Sequence, residues 1–144
     1  MWNGEVYCGT KMALFRGNAI VACRREDKEG LPNAGKWDLP GGERDGDEDP
    51  IACALREVCE ELGLQLTPDR VSYLELHPSE RPNHLPDFFC VAELSDAEVL
   101  SIRFGDEGQG WALMPVEGFL THPQAVTELK DRLRAYVEMN ESAD

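Results

Sequence analysis

Strand-like and helix-like segments alternate along this chain, and that alternation predicts an α/β domain built on a mixed sheet. Three observations carry the prediction. Short apolar runs of strand character recur between clusters of Gly, Pro and Asn. A sharply punctuated helix, Asp49 to Gly63, lies between strand-like runs on either side. A second amphipathic helix follows near the end. With 144 residues, no internal repeat and no convincing linker, residues 1–144 read as a single domain with enough chain for a substantial core.

Taken in order, Tyr7 to Phe15 and Asn18 to Arg24 read as strands joined at Arg16-Gly17-Asn18, where Gly and Asn tolerate positive φ. In the second strand Ala19, Val21 and Cys23 alternate with Ile20 and Ala22, so both faces are apolar and both call for cover. Glu26 to Gly35, with its Gly, Pro and Asn, is loop chemistry. Lys36 to Leu39 is a short extended run that ends at Pro40-Gly41-Gly42. Asp49 is a good N-cap, Pro50 fits the first helical position, and Gly63 fits the left-handed C-terminal position. Between them Ile51, Leu55, Val58 and Leu62 fall within a stripe of about 60°, while Glu57, Glu60 and Glu61 span about 100° on the far side. Thr67-Pro68-Asp69 breaks the chain. Val71 to Leu76 alternates like a strand, His77 to Pro86 is a Pro-rich connection, and Asp87 to Leu94 reads as a buried strand. Glu98 to Phe104 predicts another short strand, Gly105 to Gly110 a flexible loop, and Trp111 to Met114 an extended run. Pro115 to Leu120 predicts one turn of helix. Val126, Leu129, Leu133, Tyr136 and Val137 mark Pro123 to Met139 as the amphipathic helix, and Asn140 to Asp144 is expected to fray.

Composition narrows the function. The formal net charge is -14, from 28 acids against 14 bases, which argues against a broad basic face for nucleic acid. It does not argue against a phosphorylated substrate, because a bound cation inverts the local charge. The five cysteines form no C-x-x-C pair and read as reduced, mostly buried small hydrophobes rather than a zinc site or disulfide framework. No basic leader followed by an apolar run opens the chain, and no stretch is long and apolar enough to span a membrane. The expectation is a cytoplasmic protein, a monomer or homodimer, with no membrane partner.

The chemistry lies in Gly41 to Leu64. Three glutamates on one helix face repel one another, and a solvated helix face is the plain reading of E-x-x-E-E by itself. The neighbouring Gly41-Gly42 turn changes the reading. It lets the backbone come close, so that the Gly41 carbonyl and the Glu57, Glu60 and Glu61 carboxylates form a hard-oxygen set suited to Mg²⁺ or Mn²⁺. Arg56 stands among these acids, placed to pair with Glu60 or with Glu48 across the turn and keep them ionised and oriented.

From Gly42 the stretch reads G-x5-E-x7-R-E-V-x-E-E-x-G-L. It resembles the signature box of the Nudix hydrolases at Gly42, Glu48, Arg56, Glu57, Val58, Glu60, Glu61, Gly63 and Leu64. Trp37-Asp38-Leu39-Pro40-Gly41 resembles the strand that enters the box, and the chain length is similar to that of compact MutT-like members. The resemblance implies a Nudix-type α/β/α sandwich with a mixed central sheet. It also implies a reaction: water attacks phosphorus in a nucleoside diphosphate derivative, with Mg²⁺ or Mn²⁺, and a phosphoanhydride breaks. Glu57, Glu60 and Glu61 would carry the metal. The loop D-E-G-Q-G-W resembles the E-G-Q-x-x-E-W loop of MutT-like enzymes, which adds Glu107 to the metal site, although Gly110 stands where a second Glu would precede Trp111. The general base is left open among Glu107, Glu57 and Glu60.

Recognition of the rest of the substrate falls outside the box. Arg25, at the end of the second strand, lies where MutT-like members place an Arg on the phosphates, and only one of Arg24 and Arg25 can point there. Phe88, Phe89 and Trp111 are candidates to stack on a base, although aromatics in such strands are more often core. His122 falls where members that act on oxidised guanine carry an Asn. The expected substrate is a nucleoside triphosphate or another nucleoside diphosphate derivative. The alternatives are ADP-ribose, nucleotide sugars or dinucleoside polyphosphates, or a catalytically silent nucleotide-sensing module.

Overall fold

The computed structural model describes residues 2–143. Its centre is a hairpin, β1 (Gly9–Arg16) and β2 (Ala19–Arg24), that forks. At the closed end Phe15 pairs with Ile20 and Arg16 with Ala19. Gly17 takes φ +60° there, the pattern of a hairpin turn with Gly at its first central position. Toward the open end the strands part, and the segment Trp37 to Glu43 fills the gap. Its first piece, β3 (Trp37–Asp38), pairs with Arg24 and Cys23 of β2. Its second, β4 (Gly41–Glu43), pairs with Lys11, Thr10 and Gly9 of β1. The predicted extended run and glycine turn are thus wedged into the middle of the sheet.

The helix α1 (Pro50–Leu62) follows, as its punctuation predicts. Asp49 accepts a hydrogen bond from the Ala52 N–H, and Gly63 closes the helix at φ +70°, its N–H donating to the Cys59 carbonyl. A short 3₁₀ turn at Pro68–Arg70 leads into the edge strand β5 (Val71–His77). β6 (Asp87–Glu93) returns antiparallel to β5 and runs parallel to β1, from Thr10 against Phe88 to Phe15 against Glu93. β7 (Gly110–Pro115) pairs along the whole of β2 and makes the other edge. One parallel pair among antiparallel ones makes the sheet mixed, as expected.

The expected strand at Glu98 to Phe104 does not form. Asp96–Leu100 is a short helix, α2, because Ser95 and Glu98 build a reciprocal capping box at its start. That local pattern outweighs the β-branched residues behind it. α3 (Val116–Leu120) matches the predicted turn of helix. The last helix, α4 (Thr127–Ala143), begins later than Pro123, because Ala125 bridges to Trp37 and Val126 donates its N–H to the Trp37 carbonyl. It also continues through Asn140 to Ala143, where fraying was expected; Asp144 lies outside the described residues.

Strand alternation splits the core in two, as the doubly apolar β2 requires. Met12, Leu14, Val21, Cys23, Cys90 and Ala92 face α1 and pack on Ala54, Val58 and Leu62. Ala13, Ile20, Ala22, Phe89 and Val91 face the other way and pack on Phe119, Leu120, Leu129 and Leu133 of α3 and α4. The result is an α/β/α sandwich. Among the described residues no helix is long and apolar enough to cross a membrane. Cys23, Cys53 and Cys90 are buried as expected, whereas Cys59 is exposed.

The wedge depends on glycine. Gly41 has φ +133°, and a Cβ there would lie 2.1 Å from the Thr10 carbonyl oxygen and 2.8 Å from the Lys11 Cα. Gly41→Ala is therefore expected to lower stability by about 3 kcal/mol in urea titrations, the combined cost of backbone strain and overpacking. Gly46→Ala, where φ is +57° but the space is open, is expected to cost about 1 kcal/mol.

Candidate active site

An open cleft of about 990 Å³ lies at the forked end of the sheet. The α1 side contributes Gly41, Gly42, Glu57 and Glu61 to its lining. The sheet and the loop after β2 contribute Lys11, Asp38 and Arg25, and the loop before β7 contributes Glu107. Asp87 of β6 and Leu129 and Arg132 of α4 line it as well.

The three box glutamates do not share one environment, and helix geometry explains why. Glu61 falls about 20° from Ala54 on the helical wheel, at the border of the buried stripe. Its Oε1 accepts a hydrogen bond from the Gly41 N–H at 2.9 Å. Burial pushes its carboxyl up to about 7, against the pull of that N–H and of Lys11, with Glu57 and Asp38 adding to the rise. Glu57 lies over the glycine turn: a Cβ on Gly42 would come within 2.7 Å of its carboxyl carbon and push the carboxylate aside. Glu60 points outward, with its side chain 59% exposed, and is not among the cleft-lining residues.

Arg56 holds the group together. Its Nε and Nη2 reach the two Glu48 oxygens at 2.8 and 3.0 Å, a bidentate pair across the turn. Nη1 donates to Glu57 at 2.8 Å and reaches Glu60 at 3.3 Å, and Nη2 also donates to the Glu43 carbonyl at 2.9 Å. The Arg56 guanidinium holds the Glu48 carboxyl below its ordinary range. So Arg56 pairs with both partners weighed from the sequence and with Glu57 as well.

A second charge centre faces them. Asp38 is 6% exposed and takes Lys11 Nζ at 3.0 Å and Arg25 Nη1 at 3.1 Å on one oxygen, while the other accepts the Leu39 N–H at 2.7 Å. Burial works to lower the Lys11 ammonium, but the Asp38 charge and hydrogen bond carry it above its ordinary value. Lys11 Nζ also lies 3.4 Å from the Gly41 carbonyl, the oxygen expected to join a metal shell. Arg25 lines the cleft. Arg24 turns aside, donating to the Gly35 carbonyl and lying over the Trp37 ring. The loop that carries Glu107 is tied to this wall through Gln109, which donates from its side chain to the Arg25 carbonyl and from its backbone to the Arg24 carbonyl.

Two predicted substrate contacts fall elsewhere. Phe88 is 4% exposed and packs edge-on against Tyr7 with ring centroids 5.2 Å apart, so it has no open face for a base. β6 simply places it in the core. His122 is not among the cleft-lining residues; its Nδ1 accepts the Gln124 N–H at 2.9 Å, a local turn before α4. Nor do Glu57, Glu60 and Glu61 close into one metal cage: among the described residues no three His, Cys, Asp or Glu side chains converge to enclose an ion. Reading the sequence missed Lys11, Asp38, Asp87 and Arg132. A lysine amid the apolar β1 and an arginine beside the apolar stripe of α4 were the available signals.

Comparison with known proteins agrees with this architecture. The NUDIX domain family model matches residues 9–136. The chain therefore belongs to the Nudix hydrolase family. An RNA pyrophosphohydrolase from Acidiphilium cryptum (strain JF-5) is 52% identical over 52 residues, 35% of this chain and 31% of that protein, so the match spans under a third of the curated relative. The crystal structure of a MutT protein from Methanosarcina mazei Go1 superposes with a TM-score of 0.70 at 20% identity, covering 96% of this chain and 99% of that one. A C. elegans Ap4A hydrolase in a binary complex superposes with a TM-score of 0.65 at 18% identity, covering 93% and 98%. At these identities the structural likeness is one of fold.

The raised Glu61 carboxyl has a stability consequence in chelator. A group whose folded value of about 7 exceeds its ordinary 4.5 contributes stability below pH 4.5 that is lost as pH rises through 7. The Glu61→Gln protein lacks this loss. Its stability relative to the parent is expected to rise between these pH values by roughly 3 kcal/mol and then level off, as read by denaturant titration at each pH.

Proposed function

We propose that the chain is a metal-dependent pyrophosphohydrolase that cleaves a phosphoanhydride bond in a nucleoside triphosphate or another nucleoside diphosphate derivative. One observation carries the reading. The carboxylates of Glu57 and Glu61 lie against a glycine turn and line the same cleft as Lys11 and Arg25. A polyphosphate needs cations on both sides. The protein supplies two cations of its own and gathers hard oxygen donors for another along the same cleft.

The donor set fits Mg²⁺ or Mn²⁺. Mg²⁺ takes one or two carboxylates and keeps its remaining positions for water and phosphate, so a complete protein cage is not required. Glu61, a buried carboxylate raised by desolvation, gains most from a cation beside it. Glu57, Glu61 and the Gly41 carbonyl would hold the ion, with Glu60 and Glu107 as further donors. When bound, the ion neutralises phosphate charge and acidifies the attacking water.

The remaining work belongs to the chain. Arg25 and Lys11 bind phosphate oxygens and hold the anhydride against the acidic wall. Asp38 aims both cations. Arg56 orients Glu57 and Glu60 through its hydrogen bonds, and one of Glu57, Glu60 and Glu107 accepts the proton of the attacking water. The cation of Arg56 already sits on Glu57 and Glu60, so recruitment of Glu60 means turning its exposed side chain away from Arg56.

The test is a panel with Mg²⁺ and with Mn²⁺: nucleoside triphosphates, ADP-ribose, nucleotide sugars, dinucleoside polyphosphates, and RNA with a 5′-triphosphate. Phosphate and pyrophosphate release are scored separately. Turnover that EDTA abolishes is the expected result, and no turnover on any substrate overturns the proposal. The RNA arm is included because the Acidiphilium relative is an RNA pyrophosphohydrolase, although the net charge of -14 favours small substrates. Glu60→Gln is expected to lower kcat by about 10²-fold or more with an unchanged circular dichroism spectrum. Glu107→Gln is expected to lower it less, and unchanged kinetics would remove that loop from the chemistry.

A further inference from the structure

The segment before β1 reaches into the acidic box from outside it. Residues 43–49 read E-R-D-G-D-E-D, five acids with one base among them, and Gly46 turns there at φ +57°. Like charges so close together favour an open loop over a single conformation. Glu48 is nevertheless engaged at every polar group. Its carboxylate takes Arg56 and the Asp45 N–H, and its own N–H donates to the Asp45 carbonyl at 3.3 Å. Its carbonyl takes two donors at once, the Tyr7 hydroxyl at 2.7 Å and the Arg44 Nε at 2.9 Å.

Tyr7 is anchored in the core. It is 2% exposed, and its ring meets Phe88 of β6 edge-on with centroids 5.2 Å apart. A phenol so deeply buried needs a hydrogen-bond partner, and the Glu48 carbonyl is that partner. Burial pushes the Tyr7 phenol up to about 12, so it keeps its proton and donates at neutral pH. Arg44 is held from two sides. Its backbone N–H donates to the Cys8 carbonyl at 2.8 Å, and its guanidinium carbon lies 4.7 Å from the centre of the Tyr7 ring and 5.3 Å from that of Trp2. Trp2 meets Tyr7 edge-on at 6.1 Å and donates its indole N–H to the Glu5 carbonyl. Trp2 and Tyr7 precede residues 9–136, the stretch shared with the family, so this packed unit is an addition to the box.

The unit bears on the chemistry through a short relay. Tyr7 and Arg44 hold the main chain at Glu48. The two Glu48 oxygens hold Arg56, and Arg56 Nη1 holds Glu57 and reaches Glu60. We propose that Tyr7 and Arg44 are positioning residues: by fixing the Glu48 carbonyl they set the Arg56 guanidinium and, through it, the Glu57 and Glu60 carboxylates. The effect on turnover rests on the hydrolase reading above, whereas the placement of Arg56 does not.

Two measurements on Tyr7→Phe test this, because that variant keeps the ring contacts and removes only the hydroxyl. The first is the NMR signal of the Arg56 Nε–H in the full chain without metal, in EDTA, assigned by its loss in Arg56→Lys. A charge-assisted hydrogen bond to Glu48 is expected to hold it downfield and sharp in the parent, and Tyr7→Phe to move it upfield and broaden it. The second is steady-state kinetics with Mg²⁺ on the substrate that the panel above identifies. There kcat is expected to fall about tenfold while KM changes less than about twofold, because a misplaced carboxylate costs rate rather than binding. Should Tyr7→Phe fail to fold, Arg44→Lys gives the same readouts, since it keeps the charge and loses both the Nε–H and the flat face. A merely structural role would lower the denaturation midpoint and leave the Arg56 signal and kcat in place, which overturns the proposal. A fall in kcat with an unmoved Arg56 signal overturns it too, as does a moved signal with unchanged kcat. A moved signal in a protein that hydrolyses nothing supports the relay and overturns the hydrolase.

Discussion

Backbone packed directly on backbone sets the geometry of this protein. Where β1 meets β4, Gly9 lies across from Glu43 and Gly41 across from Lys11, and a Cβ on either glycine would lie within 2.2 Å of a carbonyl oxygen of the other strand. Only glycine permits this approach. It lets the segment Trp37 to Glu43 enter the fork between β1 and β2 rather than pass over the sheet. Everything at the site follows from that entry. Gly41 and Gly42 come to lie under the Glu57 and Glu61 carboxylates, Asp38 reaches the middle of the sheet, and the cleft opens at the forked end.

Bringing so many acids together calls for compensation, and the chain supplies it twice. Arg56 threads through Glu48, Glu57 and Glu60 and the Glu43 carbonyl, so the acidic wall is oriented before any ligand arrives. Asp38 does the converse, one buried carboxylate aligning two cations. Arg56 joins α1 to β4 through the Glu43 carbonyl, and Asp38 joins β1 to the end of β2 through Lys11 and Arg25. Glu61 is the exception. It lies at the edge of the apolar stripe with only a backbone N–H at hydrogen-bonding distance, and its burial leaves it short of positive charge.

Much of this was legible in the sequence wherever the signal was local. Asp49, Pro50 and Gly63 mark the ends of α1, and the doubly apolar β2 announces cover on both faces. The misreadings have equally local causes. Glu98 to Phe104 looks extended by composition, yet Ser95 and Glu98 form a capping box that turns the chain into helix. Pro123 looks like a helix start, yet Ala125 and Val126 are drawn to Trp37 across the sheet edge. Phe88 and Phe89 are adjacent aromatics with no pattern to say which faces a ligand; both are core residues here, on opposite faces of β6. The wheel also placed the three glutamates together on one face, whereas a turn of about 20° from Ala54 takes Glu61 into the border of the core and leaves Glu60 in solvent.

By itself, the sequence determined the elements, the caps of α1 and the identity of the acidic box, because these depend on residues within a few positions of one another. Tertiary structure alone decided which charges meet. Lys11, Arg25 and Asp38 converge only because β3 and β4 enter the fork, and Asp87 meets Arg132 only because β6 lies parallel to β1 beneath α4. A sheet register that joins residues dozens of positions apart leaves no periodic trace in the chain, so these charge pairings emerge only when the strands are placed.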